Sequence, residues 1–253
     1  MSESLVVRSA VAPLNAEPTL RSEQISQLLA GHSVERIDEQ SSWLRVKAAD
    51  GYEGWVNRGY LFDPSVRDAA SRFATRRLSL GCIVRESGGP ARALPLGALA
   101  QDDAVVVSGR ALTPDELPRR FPHAPDAIAS SALTLFAGTS YEWGGITPWG
   151  ADCSGFVQTI FGLHGIPLPR DARQQIELGI PVEGGLDALQ PADLLFFSER
   201  PDRRITHVAI ALSPSSIVHL ALGRGGYSVE QLDDPTDDYV RGLRERVVGV
   251  RRV

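Results

Sequence analysis

Residues 145–156 read Gly-Ile-Thr-Pro-Trp-Gly-Ala-Asp-Cys-Ser-Gly-Phe, and this stretch decides the fold of the second half of the chain. It places Cys153 where a glycine-flanked turn runs into an apolar helix. The residues that follow repeat apolar side chains at helical spacing, which predicts a helix over residues 153–164. Asp152 is a typical N-cap residue, and a thiol in the first turn lies near the positive end of the helix dipole. That position favours the thiolate, so Cys153 is a candidate nucleophile.

Two histidines follow Cys153 on separate predicted strands. His207 lies in the strand predicted over residues 205–212, and His219 lies in the strand predicted over residues 217–220. A cysteine, then a histidine, then a second polar group is the order of a cysteine-nucleophile site. A neighbouring imidazole lowers the pKa of a thiol by forming an ion pair. His219 can hydrogen-bond His207 and fix its tautomer.

The same three side chains raise the alternative of a zinc site. The sequence has no Cys-x-x-Cys pair, no His-x-x-x-His pair and no obvious fourth ligand, so we expect no metal and no organic cofactor. The second cysteine, Cys82, reads as an inert core residue. The remaining histidines read as structural or exposed; these are His32, His123 and His164.

Bulk properties narrow the class of protein. The chain has 253 residues, an apolar content of 43% and a formal net charge of -5, which argue against disorder and against a nucleic-acid or anionic-membrane partner. Two cysteines make no disulfide framework. The sequence has no run of about 18 apolar residues that could span a membrane and no secretory signal at its start. With a free thiol as well, we expect a cytoplasmic location. The oligomeric state is not evident from the sequence.

The first half of the chain predicts short strands. Residues 43–47 and 52–56 flank Asp50-Gly51, a strong hairpin signal, and closely spaced strands with glycine turns suggest a small barrel over residues 1–62. Residues 63–77 read as a bridge. A weaker strand-rich block follows, which is either a second barrel or an extension of the first. We assign residues 63–121 to a linker and this second barrel.

A proline-rich stretch, residues 113–125, reads as a linker to the third predicted domain, residues 122–253. Helices are predicted there first, over residues 126–136, 153–164 and 171–178. A run of strands follows, over residues 194–197, 205–212, 217–220 and 247–250. Helices followed by strands predict an α+β domain with helices packed on an antiparallel sheet.

Five motifs in this domain resemble those of the NlpC family of bacterial cell-wall cysteine peptidases. They are residues 141–145, 150–156, 191–197 and 206–210, together with His219. The strand-rich blocks resemble the bacterial SH3-like barrels that often precede this catalytic domain. The resemblance implies a papain-like α+β fold. It also implies cleavage of the γ-D-glutamyl bond to a diamino acid in peptidoglycan stem peptides.

The resemblance also implies roles for individual residues. Cys153 would be the nucleophile, His207 the base and His219 the orienting third member. The Tyr141 hydroxyl and the backbone N–H of Cys153 would stabilise the oxyanion. The chain is most similar to recycling endopeptidases that require a free N-terminal L-Ala, and this implies four residues that bind the substrate amine. They are Glu23, Tyr60, Ser154 and Asp171.

Several alternatives stay open from the sequence. Glu23 could be a solvated loop charge, Tyr60 a barrel-packing aromatic residue and Asp171 a helix cap. An amidase or acyltransferase would use the same Cys-His-His set on another acyl substrate. A wall-binding module without catalysis would use the barrels alone, but the intact Cys-His-His set argues against it.

Overall fold

The computed structural model describes residues 4–63, 76–86 and 88–253. The chain forms two compact units, Met1–Arg120 and Phe121–Val253. No helix in the described part of the chain is long and apolar enough to cross a membrane.

The first unit begins with a seven-stranded antiparallel sheet whose strand order is β3-β2-β6-β5-β4-β1-β7. Its strands are β1 (Ser4–Val7), β2 (Val11–Asn15), β3 (Gln24–Leu29), β4 (Ser33–Gln40), β5 (Trp43–Lys47), β6 (Glu53–Asn57) and β7 (Leu61–Phe62). Alternate side chains point inward and form one apolar core, which includes Val7, Leu14, Val46 and Val56. The predicted hairpin is present, since β5 pairs with β6. Gly51 supplies the positive φ of 82° that the turn requires.

A separate four-stranded sheet follows in the same unit. It consists of β8 (Arg76–Arg85), β9 (Ala91–Gln101), β10 (Val105–Ser108) and β11 (Ala111–Leu112), and β8 pairs with the other three strands. The backbone N–H of Leu99 donates to the carbonyl of Ala30 at 2.8 Å, and Nε2 of His32 lies 2.9 Å from the carbonyl of Gly97. These bonds join the second sheet to the first. Most of the predicted bridge, residues 64–75, lies outside the described residues.

The proline-rich stretch between the units is not entirely irregular. It contains a four-residue helix, α1 (Leu117–Arg120), and the next residue, Phe121, is buried with 2% of its surface exposed. The proline-rich pattern predicted a linker and no helix here. Pro118 is compatible with a helix because it lies in the first turn, where a missing N–H costs nothing.

The second unit packs helices on a six-stranded antiparallel sheet with the order β14-β19-β15-β16-β17-β18. The helices are α2 (Pro125–Leu135), α3 (Cys153–Leu163), α4 (Ala172–Gln175) and α5 (Asp238–Glu245). A small hairpin, β12 (Ile146–Thr147) and β13 (Gly150–Ala151), precedes α3. The sheet strands are β14 (Ile180–Pro181), β15 (Leu194–Phe197), β16 (His207–Ser213), β17 (Ser216–Ala221), β18 (Gly226–Gln231) and β19 (Val247–Arg252).

Helix α3 lies against β16 and β17, and α2 lies against β16. Strands β15, β16 and β17 occupy the centre of the sheet and are almost wholly buried, which agrees with their near-continuous apolar sequences. The predicted α+β class, with an SH3-like all-β region before it, is confirmed.

The elements that differ from the sequence-based prediction include α4, β18 and α5. The helix expected over residues 171–178 stops at Gln175, because the chain then tightens into turns toward Gly179, which has a φ of 72°. Strand β18 was missed because its buried residues do not alternate with exposed ones. Helix α5 was missed because half of its residues are charged and it buries only Val240 and Leu243.

Candidate active site

The turn before α3 is built around the carboxylate of Asp152. As N-cap, Asp152 accepts a hydrogen bond from the backbone N–H of Gly155 at 2.7 Å, and its second oxygen accepts from the N–H of Gly144 at 2.9 Å. These bonds satisfy donors at the start of the helix and tie the preceding loop to it. Cys153 therefore takes the first helical position, where its own N–H has no acceptor within the helix.

Two glycines in this turn are required by close backbone contacts. A Cβ at Gly155 would lie 2.2 Å from the carbonyl oxygen of Gly145, and a Cβ at Gly145 would lie 2.3 Å from that of Gly150. No side chain fits at either position without moving backbone. The glycines of the quoted stretch thus let the loop pack directly on the first turn of α3.

Arg170 completes this arrangement and was not identified from the sequence. Its guanidinium is 2% exposed and makes bonds of 3.0 and 2.6 Å to the two oxygens of Asp152. It also donates to the Ser154 hydroxyl at 2.9 Å, while that hydroxyl donates to Asp152 at 3.2 Å. The buried pair fixes the residues on both sides of Cys153.

The thiol of Cys153 is enclosed, with 7% of the residue exposed. Burial, reinforced by the Asp152 carboxylate, raises the pKa of Cys153 to about 12, although the N–H groups of Val208 and Ser154 donate to the sulfur. Burial and the neighbouring His219 lower the pKa of His207 to about 3. Both pKa shifts favour the uncharged thiol and the uncharged imidazole. Burial therefore opposes the resting thiolate that the helix start favours.

The two histidines lie next to each other on β16 and β17. Nε2 of His207 is 2.9 Å from Nδ1 of His219, and their ring centroids are 5.0 Å apart. Because Nε2 of His207 is used in this bond, Nδ1 remains for the thiol. The Val208 N–H bond to the Cys153 sulfur brings the start of β16 to the nucleophile. The structure thus brings the start of β16 to Cys153 and joins His207 to His219, and the assignment of the three residues as one catalytic set stays a prediction.

The buried carboxylate of Glu230 contacts the other ring nitrogen of His219. Glu230 was not identified from the sequence either. Its Oε1 lies 3.3 Å from Nε2 of His219. Arg224 donates to both of its oxygens at 2.9 and 2.8 Å. Glu230 lies on β18, a strand that the sequence did not predict, so nothing linked it to the histidines.

Tyr141 lies near the nucleophile. Burial raises the pKa of Tyr141, and the adjacent Cys153 and Asp152 raise it further. The phenol therefore stays protonated and can donate a hydrogen bond to a developing oxyanion.

The predicted amine-binding residues fall in both units. Glu23 is an exposed residue just before β3, and Tyr60 packs against the first barrel core, as a barrel-packing aromatic residue would. Asp171 is at the N-cap position of α4 without a side-chain capping bond, and it pairs with Arg173 at 2.9 Å. The Ser154 hydroxyl is engaged by Asp152 and Arg170. Their proposed binding role stays a prediction.

Two of the residues predicted to be structural, His164 and Cys82, lie at structural positions in the fold. His164 bonds through Nδ1 to the carbonyl of Pro122 at 2.6 Å and through Nε2 to the Ser131 hydroxyl at 3.0 Å. Cys82 is buried beside Ser79. Within residues 4–63, 76–86 and 88–253, no three His, Cys, Asp or Glu side chains converge in a way that would hold a metal ion.

Known proteins share this organisation. The NlpC/P60 family pattern matches residues 138–244, and that of the bacterial SH3 domain matches residues 9–62. Dipeptidyl-peptidase 6 of Lysinibacillus sphaericus is 31% identical over an alignment that covers 97% of each chain. The chain belongs to the NlpC/P60 family. The prediction of a cysteine peptidase of this family with an SH3-like domain before it is confirmed.

Two further comparisons bear on this NlpC/P60 chain. A γ-D-glutamyl-L-lysine dipeptidyl-peptidase of Bacillus subtilis is 31% identical over 82% of this chain and 75% of its own length. The crystal structure of an NlpC/P60 family protein from Bacillus cereus superposes with a TM-score of 0.77 over 99% of both chains at 20% identity. That structural likeness shows the fold.

Proposed function

We propose that this peptidase hydrolyses the γ-D-glutamyl–diamino acid bond of peptidoglycan-derived peptides that carry a free N-terminal L-Ala. The observation that carries the proposal is that Cys153, at the start of α3, lies beside Val208, whose neighbour His207 bonds His219. The B. subtilis relative, whose name specifies a γ-D-glutamyl-L-lysine bond and release of a dipeptide, supports the substrate class.

The reaction starts from the neutral pair. Nδ1 of His207 removes the thiol proton as the Cys153 sulfur attacks the γ-carbonyl carbon of D-Glu. The backbone N–H of Cys153 and the Tyr141 hydroxyl stabilise the oxyanion. Such donors are fixed before the reaction, because the helix start and the loop that carries Tyr141 are held by backbone hydrogen bonds.

The tetrahedral intermediate then collapses. The C–N bond breaks as protonated His207 gives its proton to the leaving amine of the diamino acid, which leaves a thioester on Cys153. His207 next removes a proton from water, whose oxygen attacks the thioester. Collapse of the second intermediate releases the γ-carboxyl group of D-Glu, which loses its proton to solvent, while His207 returns its proton to the Cys153 sulfur.

We further propose that the enzyme acts on cytoplasmic muropeptide fragments in cell-wall recycling. A requirement for a free L-Ala amine suits such fragments, because the amine is joined to the sugar in intact peptidoglycan. Glu23, Tyr60, Ser154 and Asp171 are the proposed amine-binding residues, since an ammonium gains charge-assisted hydrogen bonds from carboxylates.

Product analysis tests the proposal. We expect L-Ala-γ-D-Glu-L-Lys, or its diaminopimelate counterpart, to yield L-Ala-γ-D-Glu and the free diamino acid by mass spectrometry. In ¹⁸O-labelled water the new carboxyl group of D-Glu should gain one label. A product formed by transfer to an added amine without label would instead indicate an acyltransferase. Release of free L-Ala would contradict the proposed bond.

A further inference from the structure

Glu230 is a buried carboxylate in the second unit with no role in the reaction steps above. It is 4% exposed and lies on β18 two residues after Ser228, the register partner of His219 on β17. Ser228 donates to its Oε1 at 2.6 Å, in addition to the two bonds from Arg224 and the contact with His219. Four donor atoms on three side chains therefore converge on one carboxylate.

The network holds Glu230 in its charged form. Burial raises the pKa of this carboxyl, but the hydrogen bonds from His219, Arg224 and Ser228 outweigh burial and lower it to about 2. Arg224 is itself anchored by Asp237 and lies over the ring of Tyr239, 4.2 Å from its centroid. An ionised carboxylate can only accept hydrogen bonds.

The protons of both histidines follow from this constraint. Because Glu230 only accepts, Nε2 of His219 must carry a hydrogen, and in a neutral imidazole Nδ1 is then a bare acceptor. Nδ1 of His219 can be 2.9 Å from His207 only if Nε2 of His207 carries a hydrogen. His207 is then left with a bare Nδ1, the form that can remove the thiol proton of Cys153.

We propose that Glu230 is a positioning residue that acts through His219 to set the tautomers of both histidines. It thereby keeps the basic nitrogen of His207 on the side of the nucleophile. This inference rests on the proposed role of His207 as base. The charge of Glu230 also stabilises the imidazolium that forms during the reaction, as a third-member carboxylate does in serine proteases.

Glu230 is the anionic group that contacts His219. Among the described residues, the titratable groups recorded in contact with His219 are His207 on β16, Glu230 on β18 and Tyr239 on α5. The rings of Tyr239 and His219 meet edge-on, with centroids 6.2 Å apart and an interplanar angle of 70°. Glu230 thus determines which nitrogen of His219 is protonated.

The first test needs no substrate and no variant. The protein is labelled with ¹⁵N-histidine, and the ring nitrogens of His207 and His219 are classified by NMR at pH 7 as protonated or bare. We expect bare Nδ1 and protonated Nε2 on both rings. A protonated Nδ1 on neutral His207 would overturn the proposal, whether or not the peptide is cleaved.

The second test substitutes the carboxylate. Glu230→Gln should lower kcat by about 10- to 100-fold with little change in KM, the range found for the outer partners of metal-bound histidines. The ¹⁵N spectrum should show a mixture of tautomers at His207, because an amide can present either an acceptor or a donor. An unchanged spectrum with unchanged kcat would refute the proposal. Glu230→Asp, which keeps the charge, should recover part of the rate.

A double variant separates positioning from structural support. In His219→Asn the amide oxygen can accept from Nε2 of His207 without help from Glu230. Adding Glu230→Gln to that variant should therefore change kcat by less than about twofold. If Glu230→Gln lowers kcat in the His219→Asn background by as much as it does in wild type, Glu230 supports the fold and does not act through His219.

Asp193→Asn is the matched control. Asp193 is a buried carboxylate immediately before β15, is paired with Arg252 at 2.7 Å and also accepts from the N–H of Gln190. Its substitution should lower stability but leave the histidine spectrum and the pH profile of kcat unchanged. A change in tautomers in this control would show that any buried charge loss perturbs the site, which would refute a specific role for Glu230.

Discussion

Asp152 and Arg170 form a buried ion pair one residue before the nucleophile, with Nη2 of Arg170 2.6 Å from Oδ2 of Asp152. Both side chains are almost wholly buried, so neither charge can be solvated if the other is removed. We therefore expect Arg170→Met to lower the free energy of unfolding by about 3–5 kcal/mol. Urea denaturation measures this.

A control variant for this pair lies nearby. Arg173 pairs with Asp171 at 2.9 Å but is 55% exposed. Arg173→Met should therefore change the free energy of unfolding by less than about 1 kcal/mol. Equal effects of the two arginine variants would show that the buried pair does not support the turn before Cys153.

Cys153→Ala should abolish turnover without unfolding the protein. The sulfur is the only group of this residue that can form a thioester, and alanine preserves the helix start. We expect a loss of at least about 10⁴-fold in kcat, measured by product mass, with an unchanged circular dichroism spectrum. Cys82→Ala, in the first unit, should retain activity; an active Cys153→Ala protein would remove Cys153 as nucleophile.

Alkylation of Cys153 reports the charge of the resting pair. Since the raised pKa of Cys153 and the lowered pKa of His207 both favour neutral groups, the iodoacetamide rate should rise by about tenfold per pH unit between pH 6 and 9. The rate is measured by mass spectrometry in a Cys82→Ala background. A rate that is already constant from pH 5 to 8 would indicate a preformed thiolate–imidazolium pair.

Acid should destabilise the folded protein in two steps. The pKa of His207 is lowered from 6.5 to about 3. Its contribution to the free energy of unfolding is therefore fully present above pH 6.5 and is lost as the pH falls toward 3. The pKa of Glu230 is lowered from 4.5 to about 2, so its contribution is lost only below pH 4.5. Urea midpoints at several pH values should decline from pH 6.5 downward.

A variant isolates the first step. His207→Gln removes the titrating imidazole, so the urea midpoint should change less between pH 6.5 and 4.5 than it does in wild type. An identical decline in both proteins would show that other groups cause it.

The proposed amine site predicts substrate selectivity. Glu23→Gln or Asp171→Asn should each cost about 2–4 kcal/mol in transition-state binding, a drop of about 30- to 1000-fold in kcat/KM for the free tripeptide. N-acetylation of the peptide removes the charge and adds bulk, so wild type should cleave the acetylated form at least as poorly. Intact sacculi should also be poor substrates.

The control for the barrel position is Glu53→Gln. Glu53 is an exposed carboxylate of the same barrel that pairs with Arg45 at 3.0 Å, and its loss should leave kcat/KM unchanged. Comparable cleavage of free and acetylated peptides by wild type would contradict an amine site.

Much of this protein follows from local sequence patterns. Near-continuous apolar runs predicted the central strands that carry His207 and His219. The Asp152-Cys153 step before an apolar helical repeat predicted the helix start and its nucleophile, because an N-cap and a helical period are properties of neighbouring residues. The order of the motifs along the chain was enough to indicate the NlpC/P60 family.

The supporting charges were decided by tertiary structure alone. Arg170 meets Asp152 across 18 residues, and Glu230 meets His219 across 11 residues on a strand without a clear alternation. The charge state of the catalytic pair depends in the same way on burial. The sequence placed the thiol at a helix start, which favours the thiolate, but it contained no measure of how completely the fold excludes water from Cys153 and His207. That desolvation, which only the packed structure creates, favours the neutral form of both groups.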